Sequence, residues 1–352
     1  NKRIKFIMAY TTINKPTDYF NTKLYTGNSS TQSITGLNFQ PDWVAIKDRD
    51  ATNSFMTFDA VRGATKLLNW NTTNAESTQT PTLTSFNSDG FSIGNNTALN
   101  TNGNNLVAWN WKAGTSFTND ASSTGIGTID SSGSASDTSG FSIVSYTGTG
   151  SAGTIKHGLS TAPVITLIKT RDGTTTNWNF LTYQIDGSCD ELALNLNSEG
   201  KTDRSITAPT SSVFSVDTAA DRNGSGVSII AYCFSERKGF SKFGSYAGNG
   251  NADGTFIYTG FKPAWVMYRK TNSGDYWNIH DTTRDTGNIS GRILGANAND
   301  AEVDTGRIDI LSNGFKQRTD NGVNNGSGGS YLYMAFAEAP LVGSNNVPCT
   351  AR

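Results

Sequence analysis

The chain of 352 residues is poor in charge. Asp, Glu, Lys and Arg make up 16% of it, against about 25% in ordinary soluble proteins. Its 28 basic and 29 acidic residues nearly cancel, leaving a formal charge of −1. That balance supplies no basic field to gather nucleic acid and no acidic field to steer cations. Two histidines, His157 and His280, are too few and too isolated for a metal cluster or a Ser-His-Asp relay. Three cysteines, Cys189, Cys233 and Cys349, show no CxxC spacing, which argues against a disulfide framework and a thiolate zinc site. Such counts fit assembly in a reducing cytosol. Cys233 lies in the apolar run 229–234 and reads as a small core residue. Cys349, near the C-terminus, reads as exposed. No apolar run approaches the roughly 20 residues that cross a bilayer, and the apolar stretch after Lys2-Arg3 is short for a signal peptide. The expectation is no cofactor, no metal, no nucleic acid and no membrane insertion.

What is present is Gly, Ser, Thr and Asn, with 37 Gly, 8 Pro and 11% aromatics. Those aromatics are too many for a disordered chain, which lacks the large apolar groups that offset ordering entropy. The surface is therefore neutral and polar, and the interior well supplied.

Internal repetition organises the chain. Three segments open alike, through Leu24-Tyr25-Thr26-Gly27, Ser145-Tyr146-Thr147-Gly148 and Ser245-Tyr246-Ala247-Gly248. Each continues to a Gly, a Pro and an apolar strand: Pro41-Asp42-Trp43-Val44-Ala45-Ile46-Lys47, Pro163-Val164-Ile165-Thr166-Leu167-Ile168-Lys169, and Pro263-Ala264-Trp265-Val266-Met267-Tyr268-Arg269. Each closes on a further strand, near Ala108, Ala231 and Ala335. The prolines lie 122 (163 − 41) and 100 (263 − 163) residues apart, and Phe91, Phe214 and Phe315 keep nearly the same spacing. A period of that size is a domain rather than a solenoid rung, which runs about 20–45 residues. The reading is an all-β chain of three tandem β-sandwich, jelly-roll-like domains: an N-terminal arm 1–17, repeat one 18–114, a Ser/Thr/Gly-rich linker or loop 115–139, repeat two 140–237, repeat three 238–343, and a tail 344–352. Short β-branched and aromatic runs between Asn-Gly and Asp-Gly pairs carry that assignment. Asp300 to Leu311 is the one weak exception, with a faint helical period. The strand after each proline is apolar at almost every position, so both its faces should be covered, and the proline should stand at the strand's start.

Several motifs invite chemistry and fail its requirements. Residues 148–153 match G-x-G-x-x-G, but a strand-like segment follows where a dinucleotide site needs a helix. Residues 249–254 mimic the start of an EF-hand loop, but its twelfth position is Gly260 rather than a bidentate carboxylate. Asp59 and Arg62 match Asp281 and Arg284, and repeat two has Leu181 to Gln184 in their place. Such a pair could hold a carboxylate or a sugar hydroxyl, but more often pins a turn. Trp43 and Trp265 interchange with Ile165, which marks a core position. Trp70, Trp178 and Trp277 lie nearer variable loops and are the candidates for surface contact, with Asp281 and Arg284. Asp186, Asp190 and Glu191 could imitate a glycosidase pair, but nothing in the sequence repeats or tunes them.

Residues 140–172, from Gly140-Phe141-Ser142-Ile143-Val144-Ser145-Tyr146 through His157-Gly158-Leu159 and Pro163 to Lys169-Thr170-Arg171, together with Asn313-Gly314-Phe315-Lys316 and Tyr333-Met334-Ala335-Phe336-Ala337-Glu338-Ala339-Pro340, resemble a repeated β-domain of tailed-bacteriophage virion proteins. The resemblance extends over about residues 18–352. It implies a non-enzymatic fibre, tail or capsid-surface component, located in the virion and assembled in the host cytoplasm. Its partners would be copies of itself and other virion proteins, and its loops would contact a host glycan or protein. A capsid decoration protein, a carbohydrate-binding module or bacterial adhesin, and a polysaccharide-cleaving enzyme are the alternatives. The second predicts a row of exposed aromatics; the third predicts two carboxylates about 5–10 Å apart in a cleft.

Overall fold

The computed structural model describes residues 10–173, 175–197, 200–343 and 348–349; most of the expected arm and tail lies outside them. The chain is all-β, with 46% strand and 5% helix. Each repeat forms a sheet of the same internal order: an opening strand, the closing strand, the strand after the proline, then a fourth and a fifth strand. In repeat one these are Phe20–Thr26, Asn105–Trp111, Trp43–Asp48, Met56–Asp59 and Lys66–Asn69. In repeat two they are Phe141–Thr147, Ser228–Phe234, Ile165–Thr170, Asn179–Thr182 and Cys189–Ala193. In repeat three they are Ser241–Ala247, Ser330–Pro340, Phe261–Lys270, Asn278–Asp281 and Ser290–Gly295.

The registers fix which positions correspond. Trp43, Ile165 and Trp265 face Trp111, Phe234 and Phe336 on one side and Asp59, Thr182 and Asp281 on the other. Two alignments from sequence shift accordingly. Asp59 matches Thr182 rather than Leu181. In the closing strand Ala108 and Ala231 match Tyr333 rather than Ala335. The second slip is two residues, which keeps every side chain on its face because the strand period is two. Pro263 sits at a bulge inside its strand instead of at the start.

Every residue of Trp43–Asp48 and of Ile165–Thr170 is buried. One face of repeat one's sheet packs Val44, Ile46, Phe58 and Leu106 against the small second sheet bearing Ile34 and Phe91. Repeat two does the same with Val144, Ile168 and Ile229 against Ile155 and Phe214. The opposite faces of all three sheets meet in one common core, where Trp43, Trp109, Phe141, Tyr232, Trp265 and Phe336 belong to a single apolar cluster. Full burial of a large apolar side chain is worth about 1.5–3 kcal/mol, so this junction is a major source of cohesion.

Two local expectations change. Residues 115–139 form strands Thr115–Asn119 and Ser131–Ser136, which extend repeat two's sheet beyond its opening strand. The composition misleads because small residues are what the position demands: a Cβ on Gly133 would lie 2.0 Å from the Ile143 carbonyl oxygen. The faint helical period near 300–311 gives way to the strand Val303–Leu311, hydrogen-bonded on both sides.

Candidate functional site at the seams between repeats

The strand after each proline ends in a cation that equivalent registers place alike: Lys47, Lys169 and Arg269. Lys47 and Lys169 are fully buried and Arg269 nearly so. Each reaches a backbone carbonyl of another repeat. Lys47 donates to Asn299 of repeat three (3.2 Å), Lys169 to Thr73 of repeat one (2.9 Å), and Arg269 to Ala193 of repeat two (2.7 Å). Burial lowers both lysines to about 8; their further bonds to the carbonyls of Ala51 and Thr176 help hold the charged form. Two residues on, a backbone bond repeats in each seam: Glu302 N–H to the Arg49 carbonyl (2.8 Å), Glu76 N–H to Arg171 (2.8 Å) and Lys201 N–H to Thr271 (2.7 Å). The contacts run from one to three, from two to one and from three to two, and so close a ring.

The Asp/Arg pairs belong to these seams. Asp281 accepts from Arg284 Nε (2.5 Å) and from the Trp109 indole of repeat one (3.0 Å). Asp59 accepts from Arg62 Nε and from the Tyr232 hydroxyl of repeat two (2.6 Å). Trp109 and Tyr232 occupy the same closing-strand position, opposite Ala45 and Leu167. A glutamate completes each group. Glu302 binds Arg284 (2.9 Å) and, from the neighbouring repeat, Arg49 at 2.6 and 2.9 Å. Glu76 binds Arg62 (3.2 Å) and Arg171 at 3.0 and 3.2 Å. Paired and hydrogen-bonded in this way, the buried charges avoid the penalty of isolated ones.

The expected surface-contact residues are therefore interior. Trp70, Trp178, Trp277, Asp281 and Arg284 are all buried, because the loops that hold the tryptophans, and the strand end and turn that hold Asp281 and Arg284, face neighbouring repeats rather than solvent. Trp178 and Trp277 share one position and donate across seams, to the Asn69 carbonyl (2.7 Å) and the Ala193 carbonyl (3.2 Å). Trp70 stacks in the common core against Phe55 and Trp109.

The acidic trio also differs from the expected pair. Asp186, Asp190 and Asp203 come within 4.8 Å of one another, and the Lys201 ammonium sits among them at 2.5, 2.5 and 2.6 Å. Lys201 holds Asp186 and Asp203 below the usual carboxylate range. Burial pushes Asp190 up. Glu191 turns elsewhere, to Arg204 (2.8 Å) and Arg222 (2.7 Å). In the loop 249–254, Asn249 and Asn251 accept from backbone N–H groups of the loop itself, as a turn does.

Sequence reasoning missed the glutamates, the strand-end cations and one more set. Asn100, Asn223 and Asn325 are fully buried, and each clamps the loop after an opening strand, accepting from the N–H of Asn28, Thr149 or Asn249. The signal was available: all six strand-end cations and asparagines recur at the repeat spacing. Cys233 is buried as expected, whereas Cys349 is half-buried with its thiol on the Ser312 carbonyl.

No match was found among curated proteins or among solved structures. One family model spans residues 15–340, all three repeats together, and the chain thus belongs to the family described as Domain of unknown function (DUF7483).

Proposed function

We propose that the chain is a virion structural protein, part of a tail fibre or another surface appendage, whose three repeats are three β-sandwich units locked into one rigid head. The observation that carries this reading is the common core. All seven tryptophans are buried, and every seam ties a strand-end cation to the next repeat's backbone. Load applied to one repeat passes to the other two. Such a body suits a part that holds its shape within an assembly and presents loops from three sides. The sequence resemblance to phage virion domains supports the same role, with other virion proteins and further copies as partners and a host glycan or protein as the contacted surface. A capsid decoration protein is the same role at another location. The carbohydrate-module alternative loses its best support with every tryptophan buried, so any glycan contact rests on other groups.

Gold-labelled antibodies against the purified chain test the proposal on particles from a host that carries the gene. Label projecting from tails or capsids is the expected result. Label confined to cell surfaces or to the soluble fraction would overturn it.

A further inference from the structure

Repeat three differs from the others in what it leaves exposed. The exposed large apolar side chains among the described residues are Phe256, Tyr258, Tyr276, Ile289 and Val303, all in this repeat. Two of them, Tyr276 and Val303, line an open pocket of about 220 Å³. That is below the roughly 300–1,000 Å³ of drug-sized sites and suits one sugar ring. Asn278, Asp300 and Arg307 supply its polar groups.

Three features mark the pocket as built. Arg307 has a buried Nη1 with no hydrogen-bond partner, and no carboxylate lies within ion-pair distance of it among the described residues. Its Nε makes a long contact to Thr305 Oγ1 (3.3 Å), and the Tyr268 hydroxyl lies close enough to the guanidinium to feel its charge. A buried guanidinium nitrogen left unpaired costs roughly 1–3 kcal/mol or more, a cost that an anionic ligand would remove. The Tyr276 ring is 41% exposed and rests over Gly295, where a Cβ would meet its Cδ1 at 3.3 Å. The same position holds Asn69 in repeat one and Ala193 in repeat two, so repeat three alone has the bare floor that lets the ring lie there. Asp300 offers acceptors for hydroxyls, and it lies in the field of the buried Lys47, which tempers its repulsion of an anion. Larger hollows exist at 114–117 with 135–138, and at 118–120 with 130–132, but Ser, Thr and Gly dominate their walls.

We propose that this pocket binds an acidic sugar, with the pyranose face on Tyr276, its carboxylate on Arg307 and its hydroxyls on Asp300. A planar guanidinium matches a carboxylate, and an exposed aromatic face matches the C–H face of a sugar ring. The inference rests on the surface-contact part of the proposed function and names its ligand class; because it concerns binding by the isolated chain, its failure would leave the virion assignment to the particle-labelling experiment.

The test is NMR titration of the full chain with methyl glucuronide and, separately, with methyl glucoside, which differs by the carboxylate. Saturable binding in the millimolar range is expected for the glucuronide, with roughly tenfold or weaker affinity for the glucoside. Arg307→Gln should reduce glucuronide affinity by a similar factor. Tyr276→Ser, at an exposed ring where folding is not at stake, should reduce it roughly three- to tenfold. Absence of glucuronide binding, equal affinity for both sugars, or unchanged affinity in folded Tyr276→Ser would each overturn the proposal.

Discussion

The seam between repeats one and three and the seam between two and one are built from the same groups, whereas the seam between three and two is not. The first two each bury an aspartate, an arginine and an aromatic donor: Asp281, Arg284 and Trp109, or Asp59, Arg62 and Tyr232. Registers put Thr182 at the aspartate position, and the closing-strand position opposite Met267 holds Met334. Three residues after Thr182 stands Ile185, which packs against the common core. Thr182 satisfies its hydroxyl locally, on the Val164 carbonyl. The buried charged set has been exchanged for an uncharged one. The rim differs too, where Lys201 and Thr271 stand in place of the Glu and Arg of the other seams. The difference teaches that these groups are viable as complete sets. An aspartate without its arginine, or an arginine without its aspartate, would leave an uncompensated buried charge, while a fully apolar replacement is close to neutral.

That contrast is broken most severely by Asp281→Ala. Arg284 has no solvent exposure, and it would keep Glu302 alone as its ionic partner. A loss of about 3–5 kcal/mol is expected, read as a shift in the midpoint of urea unfolding. Thr182→Ala at the matching position should cost about 1 kcal/mol, the worth of one ordinary hydrogen bond. Similar losses at the two positions would show that the aspartate has no special place in its seam. The triple exchange Asp281→Thr, Arg284→Ile and Trp109→Met installs the set of the seam between three and two. It should recover most of what Asp281→Ala loses; a triple variant less stable than the single one would refute the idea of interchangeable sets.

A pH effect of intermediate size separates the repeats again. His280 occupies the position of Phe58 and Leu181. Burial, then the nearby charges of Arg284 and Arg307, lower it to about 3 from an ordinary 6.5, against a small upward pull from Asp285. The Tyr268 hydroxyl stands 3.2 Å from its Nε2. Between pH 6.5 and 3 the unfolded chain takes up a proton that the folded chain refuses. Stability from this group is therefore complete above 6.5 and falls as the solution is acidified, by about 1.4 kcal/mol per pH unit. Burial shifts His157 the same way, so both histidines contribute. Replacing His280 with Phe, the residue repeat one uses, should flatten the slope of stability between pH 6.5 and 4.5 and save roughly 2–3 kcal/mol at the lower end. An unchanged slope would mean that His280 titrates normally.

The β class and the apolar strand after each proline were legible because both depend on local pattern. Gly27, Gly148 and Gly248 mark the same turn, and the alternation around Tyr25, Tyr146 and Tyr246 shows on its face. What the sequence did not disclose was the direction of the second face. A strand such as 43–48 is apolar throughout whether its outer partner is a loop or another repeat, so periodicity cannot report a shared core. The same ambiguity misplaced Trp178 and Trp277. Their loops vary between repeats because each must fit a different neighbour, and variation of that kind looks the same as variation at a free surface. The buried cations were visible at the ends of apolar strands, but a terminal Lys ordinarily marks exit into solvent. Their recurrence as Lys47, Lys169 and Arg269 was the clue that they share one interior task. The acidic cluster at 186–203 was half legible: the carboxylates stood out, and the lysine that neutralises them lay eleven residues beyond Asp190, in the next strand connection.

The smallest expected effect concerns two tryptophans of one sheet. Trp109 Nε1 has the Asp281 carboxylate as acceptor, while Trp43 Nε1 is buried without any hydrogen-bond partner, its ring packed against Trp111 at 4.5 Å and Tyr232 at 4.4 Å. Replacement by Phe removes a similar apolar area at both positions. At 109 it also takes away a charge-assisted bond and leaves Asp281 with one donor fewer; at 43 it relieves an unpaired donor. Trp109→Phe should therefore be more destabilising than Trp43→Phe by about 1 kcal/mol, measured as a difference between two unfolding midpoints. A difference of the opposite sign would mean that ring packing at position 43 outweighs the hydrogen bond at 109.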